Sequence, residues 1–510
     1  MEAPAAKGEY TEMMEISNGN PKVISGEARD AHIHNQLFSN PKLSQLMFDY
    51  MGGDGKYQQY INAAAIIGHF FIAFTVALLS ISGAGPSTTC GIETTDPKTG
   101  MTIVQYKTCP EAEACALMRE GKNGRVVFPY ETWTERYNMY CDNEVKRNFY
   151  KSMYILFISI ISCSVLQSAD YFGRKFCFLA TFVCCSGGAI ITHFANDYGW
   201  KVMMLGAANA SYIIYAGLFT FYLSESTCPK SDLFKIIVAG WMAAAPLGYM
   251  AFCLICLFTK NPEVLSFITM IAMVCSMGFP CLFCVESPQY LLEHYEIDKM
   301  IESVEGIRKF NSKPDNPELK QKILQEATKW VEEERSLQEK KSKEVTPLWR
   351  VLTTRQYLYQ VIALSFIAFL LEILYFGVAM NIDSMGTSSA TLNGILVSIV
   401  QLISSIIVIY KAHKMSRRPW LLILQSVLIV CGIFLVMLAF MADTLLKKIL
   451  IGITTIVLIG GVANATATPF YHYNSELFPV ELRGTGNCLV NVIANSLSMV
   501  TPFIDRKSVV

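Results

Sequence analysis

Residues 170–175 read Asp170-Tyr-Phe-Gly-Arg-Lys175, a short charged turn between two long apolar stretches. Two comparable segments, Glu286-Ser-Pro-Gln-Tyr-Leu291 and Glu476-Leu-Phe-Pro-Val-Glu-Leu-Arg-Gly-Thr-Gly486, follow later apolar stretches. Charges at the ends of membrane spans are common, but compact charged turns at matching places in two halves of a chain are not. The three segments therefore predict two bundles of helices whose ends are held together by ion pairs.

The composition is that of an integral membrane protein. Of the 510 residues, 52% are apolar and 16% are charged, against ~25% charged residues in soluble domains. Lysine plus arginine equals aspartate plus glutamate, 42 of each, so the net charge gives no argument for a nucleic-acid partner. Residues 1–60 are polar and lack the basic and then apolar start of a cleavable signal. They are predicted to be a cytoplasmic N-terminal segment.

Eleven apolar stretches are long enough to cross a membrane, which takes about 20 helical residues. They lie at 61–82, 150–169, 176–195, 202–224, 233–258, 264–285, 357–379, 391–410, 419–441, 447–470 and 485–504. Since helices and closed barrels alone satisfy their backbone groups in lipid, we predict an all-α polytopic membrane protein with 11 transmembrane helices. A two-bundle carrier would have a twelfth, which is missing from this sequence. Either the protein lacks it or the sequence is a truncated product.

Positive charge in the short loops predicts a cytoplasmic N-terminus. Basic residues that support this orientation are Arg174, Lys175, Lys411, Lys414, Arg417, Arg418 and Arg483. Lys447 and Lys448 oppose it. The predicted organisation is a six-helix bundle at 61–285, a charged cytoplasmic linker at 286–356 and an incomplete C-terminal bundle at 357–510.

The loop at 83–149 is predicted to lie outside the cell. It contains Cys90, Cys109, Cys115 and Cys141. Four cysteines in a non-cytosolic loop predict two disulfides, with three possible pairings. The other twelve cysteines lie mostly in predicted spans, where they are expected to pack as small apolar residues.

At these motifs the chain resembles the major facilitator superfamily and, more narrowly, the organic cation/anion/carnitine transporter family, over about residues 45–505. The matching features are the Gly-rich segment Gly52–Gln58, the cysteine-bearing loop, Glu286-Ser-Pro288, Leu374-Tyr-Phe-Gly377, and Glu476-Leu-Phe-Pro479 with Arg483. The sugar-porter branch shares several of these motifs but lacks the large outer loop. The resemblance implies the major facilitator two-bundle fold and transport by alternating access.

The chain departs from the pattern of that family at several positions. Leu166 stands where the turn after the second span usually opens with glycine, and Tyr171 stands where an Asp-Arg pair has its arginine. After the eighth span His413 and Ser416 replace an acid and a glycine, and Gln289 replaces an arginine of the linker motif. The outer loop also lacks the glycosylation sequons expected of the family. These departures weaken the motifs on which the resemblance rests.

The charged turns supply candidates for a gate at the cytoplasmic mouth. Ion pairs there would hold the gate in one state and break in the other, for which a gap of a few kcal/mol is enough. The alternative is that these residues are ordinary positive-inside anchors. The candidates, called the latch residues below, are Asp170, Gly173, Arg174, Lys175, Glu225, Glu286, Glu476 and Arg483.

Ionisable side chains within spans point to a substrate site, because a charge inside the membrane is costly. Glu372 in the seventh span could bind a cation, carry a coupled proton or be a structural carboxyl. Its neighbours Tyr375 and Phe376 offer aromatic faces, either for cation–π attraction or for packing between helices. The resemblance implies that the positions of Gln401 and Asn495 follow substrate charge, and both are neutral here. Glu372 is then the only central carboxylate, which favours a cation or zwitterion, with a neutral solute as the alternative.

The sequence therefore predicts a transporter of organic cations or zwitterions, either facilitated or coupled to a proton or a sodium ion. The alternatives are a proton-coupled porter of sugars or other neutral solutes and a truncated membrane protein that does not transport. No nucleophile–base constellation supports an enzyme, and neither metal-ligand spacing nor a phosphate-binding loop supports a cofactor. The expected partners are a small-molecule substrate and the lipid bilayer, without nucleic acid. The cysteine-bearing loop favours the plasma membrane, and an internal membrane with an oxidising lumen fits it as well.

Overall fold

The computed structural model describes residues 14–17, 20–23, 41–95, 102–109, 111–128, 130–226, 233–338, 347–380, 389–411, 417–440, 445–478 and 482–503. Eight helices within these ranges are long and apolar enough to cross a membrane. Two shorter apolar helices, Ala243–Phe258 and Pro262–Gly278, accompany them. The predicted all-α polytopic membrane fold is confirmed, whereas the number of eleven spans stays a prediction.

The N-terminal segment contains a short hairpin and the first two helices. Strands β1 (Met14–Ser17) and β2 (Asn20–Val23) pair antiparallel. Helix α1 (Pro41–Met51) precedes α2 (Lys56–Ser82), which corresponds to the first predicted span. Between them Gly52 has a φ of +91°, a conformation that glycine adopts without steric cost.

The loop at 83–149 forms a small disulfide-bonded unit, called the outer unit below. Its elements are β3 (Ser87–Thr95), β4 (Thr102–Thr108), α3 (Glu111–Arg119), β5 (Gly124–Val127) and α4 (Trp133–Arg136). The central strand β3 pairs antiparallel with both β4 and β5.

Two disulfides close the outer unit, as the four cysteines predicted. They join Cys90 to Cys109 and Cys115 to Cys141, which selects one of the three possible pairings. Both bonds close loops within the unit, so they stabilise it by restricting its unfolded chain.

The outer unit is bound to the first half of the chain by charged and aromatic contacts. Arg136 Nη1 donates to Glu263 Oε1 at 2.8 Å. Lys201 Nζ donates to the other oxygen of Glu263 at 2.9 Å and lies 5.4 Å from the ring centroid of Trp133, a fully buried side chain.

The remaining predicted spans of the first half are also helical. They are α5 (Glu144–Phe172), α6 (Arg174–Thr181), α7 (Gly187–Phe194), α8 (Tyr198–Ser226), α9 (Leu233–Phe258) and α10 (Pro262–Phe283). A π-helical turn, Phe182–Ser186, joins α6 to α7 in one continuous span. Helix α2 packs against α8, α9 and α10, so the first half has a shared core.

The charged linker at 286–356 also folds into helices. They are α11 (Pro288–Glu293), α12 (Ile297–Phe310), α13 (Pro317–Gln338) and α14 (Pro347–Thr353). The buried side chain of Asn311 ties the linker to the start of α2: its Oδ1 accepts from the backbone N–H of Tyr57 at 2.7 Å, and its Nδ2 donates to Met51 O at 2.9 Å. The linker is thereby anchored on the first half.

The second half supplies the helices α15 (Arg355–Met380), α16 (Ala390–Lys411), α17 (Arg417–Ala439), α18 (Leu445–Ile453), α19 (Gly461–Leu477) and α20 (Arg483–Ser498). A π-helical turn, Thr454–Gly460, joins α18 to α19. Each predicted span of this half thus falls on helix, although α20 has only 16 residues.

The two halves meet along the pairs α5–α20 and α9–α16. Near the end that carries the outer unit, called the loop end, Ser152 Oγ donates to Met499 O at 2.7 Å. At the opposite end, called the linker end, the backbone N–H of Thr485 donates to Asp170 Oδ2 at 3.1 Å. The halves are therefore in contact at both ends of the bundle.

Candidate substrate cavity and linker-end ion pairs

A cavity of about 80 Å³ lies between the two halves. This is several times the roughly 10–15 Å³ that a single water needs on the same measure. Helices α2, α8 and α9 line it from the first half, and α15, α16 and α19 line it from the second. Among the described residues, its lining contains one carboxylate and no lysine, arginine or histidine.

The carboxylate in this cavity belongs to Glu372 of α15. Among the described residues, no hydrogen bond or ion pair joins it to another side chain. A carboxylate in a low-dielectric environment is stabilised by a nearby cation or by hydrogen-bond donors.

Three tyrosines line the cavity around Glu372: Tyr212, Tyr249 and Tyr375. The rings of Tyr212 and Tyr375 come from opposite halves and lie nearly parallel, with centroids 6.1 Å apart and an interplanar angle of 15°. Aromatic faces attract cations within about 6 Å of the ring centroid. Sequence reasoning missed Tyr212 and Tyr249, because a tyrosine in an apolar span carries no signal of the direction in which it faces.

Amide side chains from the second half form another part of the cavity wall. Gln401 of α16 and Asn464 of α19 both line it. Asn464 Nδ2 donates to Gln401 O at 2.9 Å and to Ser405 Oγ at 2.8 Å, so its orientation is fixed by α16. The wall therefore offers hydrogen-bonding groups as well as aromatic faces.

Two predicted substrate residues lie outside the cavity lining. Phe376 is 3% exposed and packs edge-on against Tyr154, with ring centroids 6.1 Å apart. Successive residues of a helix point about 100° apart, which separates Phe376 from its cavity-facing neighbour Tyr375. Asn495 is fully buried and donates from Nδ2 to Asn491 O at 2.8 Å. Of the five predicted residues, the structure brings Glu372, Tyr375 and Gln401 together.

Several latch residues form one cluster at the linker end. Arg174 Nη2 and Nε donate to the two carboxylate oxygens of Glu225, at 2.6 and 3.2 Å. Arg174 Nη1 also donates to Ala169 O at 2.7 Å and lies 3.9 Å from Asp170 Oδ1. A bidentate arginine–carboxylate pair of this kind fixes geometry as well as charge.

Glu286 caps the start of helix α6. Its carboxylate accepts the backbone N–H groups of Arg174 at 2.7 Å and of Lys175 at 3.1 Å, which are free donors at a helix N-terminus. Gly173 makes the preceding turn with a φ of +91°. Lys175 itself is exposed.

Tyr290 completes the cluster from the linker. Arg174 lies over its ring, 5.0 Å from the centroid, and its hydroxyl donates to Tyr171 O at 3.0 Å. Burial and the nearby Glu286 carboxylate raise the pKa of Tyr290 to about 12. The phenol therefore stays protonated and remains a donor throughout the physiological pH range.

Asp170 reaches across to the second half. Its Oδ2 accepts from the backbone N–H of Thr485 at 3.1 Å and from Thr485 Oγ1 at 3.4 Å. Gly484 lies against the same carboxylate, so closely that a Cβ there would be 2.5 Å from Asp170 Oδ2. The side chains of Glu476 and Arg483 lie outside the described residues, and their pairing stays a prediction.

The model of the sugar (and other) transporter family matches residues 125–507, which is more than half of the chain. The chain belongs to this family. Solute carrier family 22 member 1 of Bos taurus is 23% identical over 392 residues, covering 74% of this chain and 63% of the relative. The same carrier of Oryctolagus cuniculus is 22% identical over 380 residues, covering 74% and 64%. The matches thus span less than two thirds of the length of these relatives.

A similar solved structure has the same fold. The proton:xylose symporter XylE bound to 6-bromo-6-deoxy-D-glucose aligns with a TM-score of 0.56 and 12% identity, covering 87% of each chain. This likeness confirms the predicted major facilitator superfamily fold. The resemblance to solute carriers stated from the sequence is confirmed as well, and family and fold are those of multi-pass membrane transporters rather than enzymes.

Proposed function

We propose that this chain is a membrane carrier that moves organic cations or zwitterions by alternating access. The observation that carries this proposal is the carboxylate of Glu372, which has no ion pair or hydrogen bond within the described part of the chain and lies among three tyrosines in the cavity between the halves. An unpaired charge at this depth costs several kcal/mol in hydrocarbon, and a cationic substrate offsets that cost.

The rest of the cavity lining supports the same class of substrate. An anion would meet the Glu372 carboxylate without a basic side chain to balance its charge, because no described lining residue is basic. A cation would meet the carboxylate and the ring faces of Tyr212 and Tyr375 together. The anionic end of a zwitterion could accept hydrogen bonds from the side-chain amide of Gln401 or from the tyrosine hydroxyls.

The linker-end contacts suit a gate that opens and closes. Asp170 reaches the second half through the backbone N–H and the hydroxyl of Thr485, whereas Arg174 binds Glu225 and Glu286 within the first half. A rocking motion that opens this end would break the Asp170–Thr485 contact, while the pairs within the first half could stay intact. The latch residues thus hold Asp170 in position for Thr485.

The plasma membrane is the proposed location, with the N-terminus and the linker in the cytoplasm. The outer unit has two disulfides, which form and persist in oxidising compartments. The linker end carries the basic turn at Arg174 and Lys175, as the positive-inside rule expects of a cytoplasmic face.

A proton-coupled porter of sugars or other neutral solutes is the second candidate. The amides of Gln401 and Asn464 and the tyrosine hydroxyls could bind sugar hydroxyls, and the family is named for sugar transporters. In that case Glu372 would carry the coupled proton rather than pair with the substrate.

The test is uptake into cells that express the chain at their surface. The panel is a quaternary amine, carnitine, an organic anion and a hexose, each with and without a pH gradient. We expect uptake of the quaternary amine or carnitine. Glu372→Gln should reduce this uptake at least about tenfold, because it removes the charge that pairs with the substrate, and a loss of about 1.4 kcal/mol of binding free energy corresponds to tenfold. Glu296→Gln, which removes an exposed carboxylate paired with Lys299, is the matched control and should transport normally.

The panel separates the two candidates. Uptake of a hexose that is driven by a pH gradient and unaffected by quaternary amines would support the sugar porter. Equal uptake of the cation by Glu372→Gln and the parent would remove the central residue of the proposal. Two tyrosine variants refine the site: Tyr212→Phe keeps the ring and should retain uptake of a quaternary amine, whereas Tyr212→Leu should lose it.

A further inference from the structure

A covalent bond joins the two halves inside the bundle. Cys163 of α5 and Cys488 of α20 form a disulfide, with Cα atoms 4.8 Å apart and 325 residues between them in sequence. For this pair the expectation that cysteines in spans act only as apolar packing residues is wrong. The loop disulfides stay within the outer unit, whereas this bond joins one half of the chain to the other.

The bond lies on the linker-end side of the α5–α20 contact. Cys163 is nine residues before the end of α5, and Cys488 is five residues after the start of α20. At 1.5 Å per residue these positions are about 14 and about 8 Å from the linker-end termini of their helices. The contact between Asp170 and Thr485 lies beyond them, at the same end. The region that must separate when the linker end opens thus contains both a hydrogen bond and a disulfide.

We propose that Cys163 and Cys488 are a redox-controlled lock on the movement of the two halves. As thiols they leave α5 and α20 free to separate, and as a disulfide they hold the linker end closed. This inference rests on the alternating access proposed above. Neither cysteine lines the substrate cavity. Oxidation of the pair would therefore change the movement of the halves without changing the cavity lining.

The reach of a disulfide shows why the bond would block opening. Disulfide-bonded cysteines have Cα atoms at most about 6.8 Å apart, and this pair is at 4.8 Å. The helices can therefore separate by only about 2 Å at this level before the bond must break. Passage of an organic cation with even one ring needs a wider opening than that.

The chemistry of the lock is a two-electron oxidation. Each thiol gives up one proton and one electron as the S–S bond forms, and hydrogen peroxide takes up both electrons and both protons to give two waters. A dithiol reductant reverses the reaction by thiol–disulfide exchange. Since the cytosolic glutathione pool keeps thiols reduced, the lock would be open at rest and would close under oxidation.

The first test asks whether the bond joins the halves. A protease site placed in the linker at 339–346 cuts the purified chain into two fragments, and neither loop disulfide can hold them together, because both lie before the cut. On a denaturing gel we expect one band after peroxide and two after dithiothreitol. Cys163→Ser and Cys488→Ser should give two bands in both conditions, and Cys431→Ser, a buried free thiol, should behave like the parent. Two bands from the oxidised parent, or one from oxidised Cys163→Ser, would overturn the proposal.

The second test asks whether the bond restricts motion. Hydrogen exchange of the peptides 163–172 and 483–490 reports opening of the linker end directly. We expect exchange about tenfold slower in the oxidised parent than in the reduced parent, and no redox dependence in Cys163→Ser. Equal hydrogen-exchange rates in the oxidised and the reduced parent, with the cross-link confirmed on the gel, would show that the bond does not restrict opening and would overturn the proposal. Neither test needs a substrate, so failure here is distinguishable from failure of the transport proposal.

Discussion

Arg174 Nη2 lies 2.6 Å from Glu225 Oε1, and the two side chains are only 3% and 1% exposed. The pair joins the start of α6 to the end of α8, within the first half of the chain. When both charges are removed from water, the loss of one partner leaves the other unpaired, which costs about 3–5 kcal/mol.

Removal of one partner should therefore destabilise the first half strongly. We expect Glu225→Gln to lower the free energy of unfolding by about 3–5 kcal/mol and the double variant Arg174→Met with Glu225→Gln to lose less than the sum of the single variants. The measurement is a double-mutant cycle by thermal unfolding in detergent. The exposed pair Glu296–Lys299 is the control, for which an effect of about 0–1 kcal/mol is expected. Additive losses at Arg174 and Glu225 would contradict the pairing.

Gly484 should be sensitive to a single added methyl group. Its Cβ would meet both carboxylate oxygens of Asp170, at 2.5 and 2.6 Å, and would displace the carboxylate from the N–H of Thr485. We expect hydrogen exchange of the peptide 483–490 to become several-fold faster in Gly484→Ala. In an Asp170→Ala background the same change should have no further effect, because the carboxylate that the added Cβ would meet has been removed. Gly432→Ala, whose Cβ would have no described atom within 4 Å, is the control and should exchange like the parent.

Two glycines of α9 should respond in opposite ways to alanine. A Cβ at Gly248 would overlap the backbone carbonyl oxygen of Phe70 in α2, whereas one at Gly240 would lie 3.8 Å from Ile66 Cδ1. Overpacking against a backbone costs about 1–3 kcal/mol or more, so Gly248→Ala should lower thermal stability and surface delivery. Gly240→Ala should be neutral or slightly stabilising, since alanine favours helix by up to about 1 kcal/mol. Equal stability of the two variants would contradict the close approach of α2 and α9.

The contact between α1 and the linker should depend on pH. The Tyr50 hydroxyl donates to Asp315 Oδ1 at 2.8 Å, and this bond, helped by the charge of Arg308, lowers the pKa of Asp315. A carboxyl with a lowered folded pKa contributes stability that is present above its unfolded pKa, about 3.9, and lost as pH falls through the folded value. The midpoint of thermal unfolding should therefore differ between the parent and Asp315→Asn above about pH 5 and converge below about pH 4. A difference that stays constant from pH 3 to pH 6 would argue against this contact.

Much of the fold follows from the sequence because its causes are local. An apolar stretch of about 20 residues must form a helix in lipid, so the position of each predicted span can be read from hydropathy alone. Four cysteines close together in one predicted loop indicate two disulfides, and two disulfides form there. Charges at span ends lie in one layer of the bundle, so Arg174 could be expected near Glu225 and Glu286.

The cavity lining could be predicted only in part, because it depends on which face of each helix meets the other half. Helix α15 is apolar on all sides, so its periodicity does not tell the face of Tyr375 from that of Phe376. Tyr212, Tyr249 and Asn464 become lining residues only through the packing of helices far apart in sequence. The disulfide between Cys163 and Cys488 depends on the same long-range packing, and spacing along the chain gives no sign of it.

The attachment of the outer unit to the first half has a practical consequence for imaging. Trp133 and Arg136 fix the unit onto Lys201 and Glu263, whose helices α8 and α10 belong to that half. An antibody fragment raised against the strands β3 to β5 would add a rigid mass outside the detergent micelle. It would serve as a fiducial for particle alignment in cryo-electron microscopy and would mark the orientation of the first half in each conformational class.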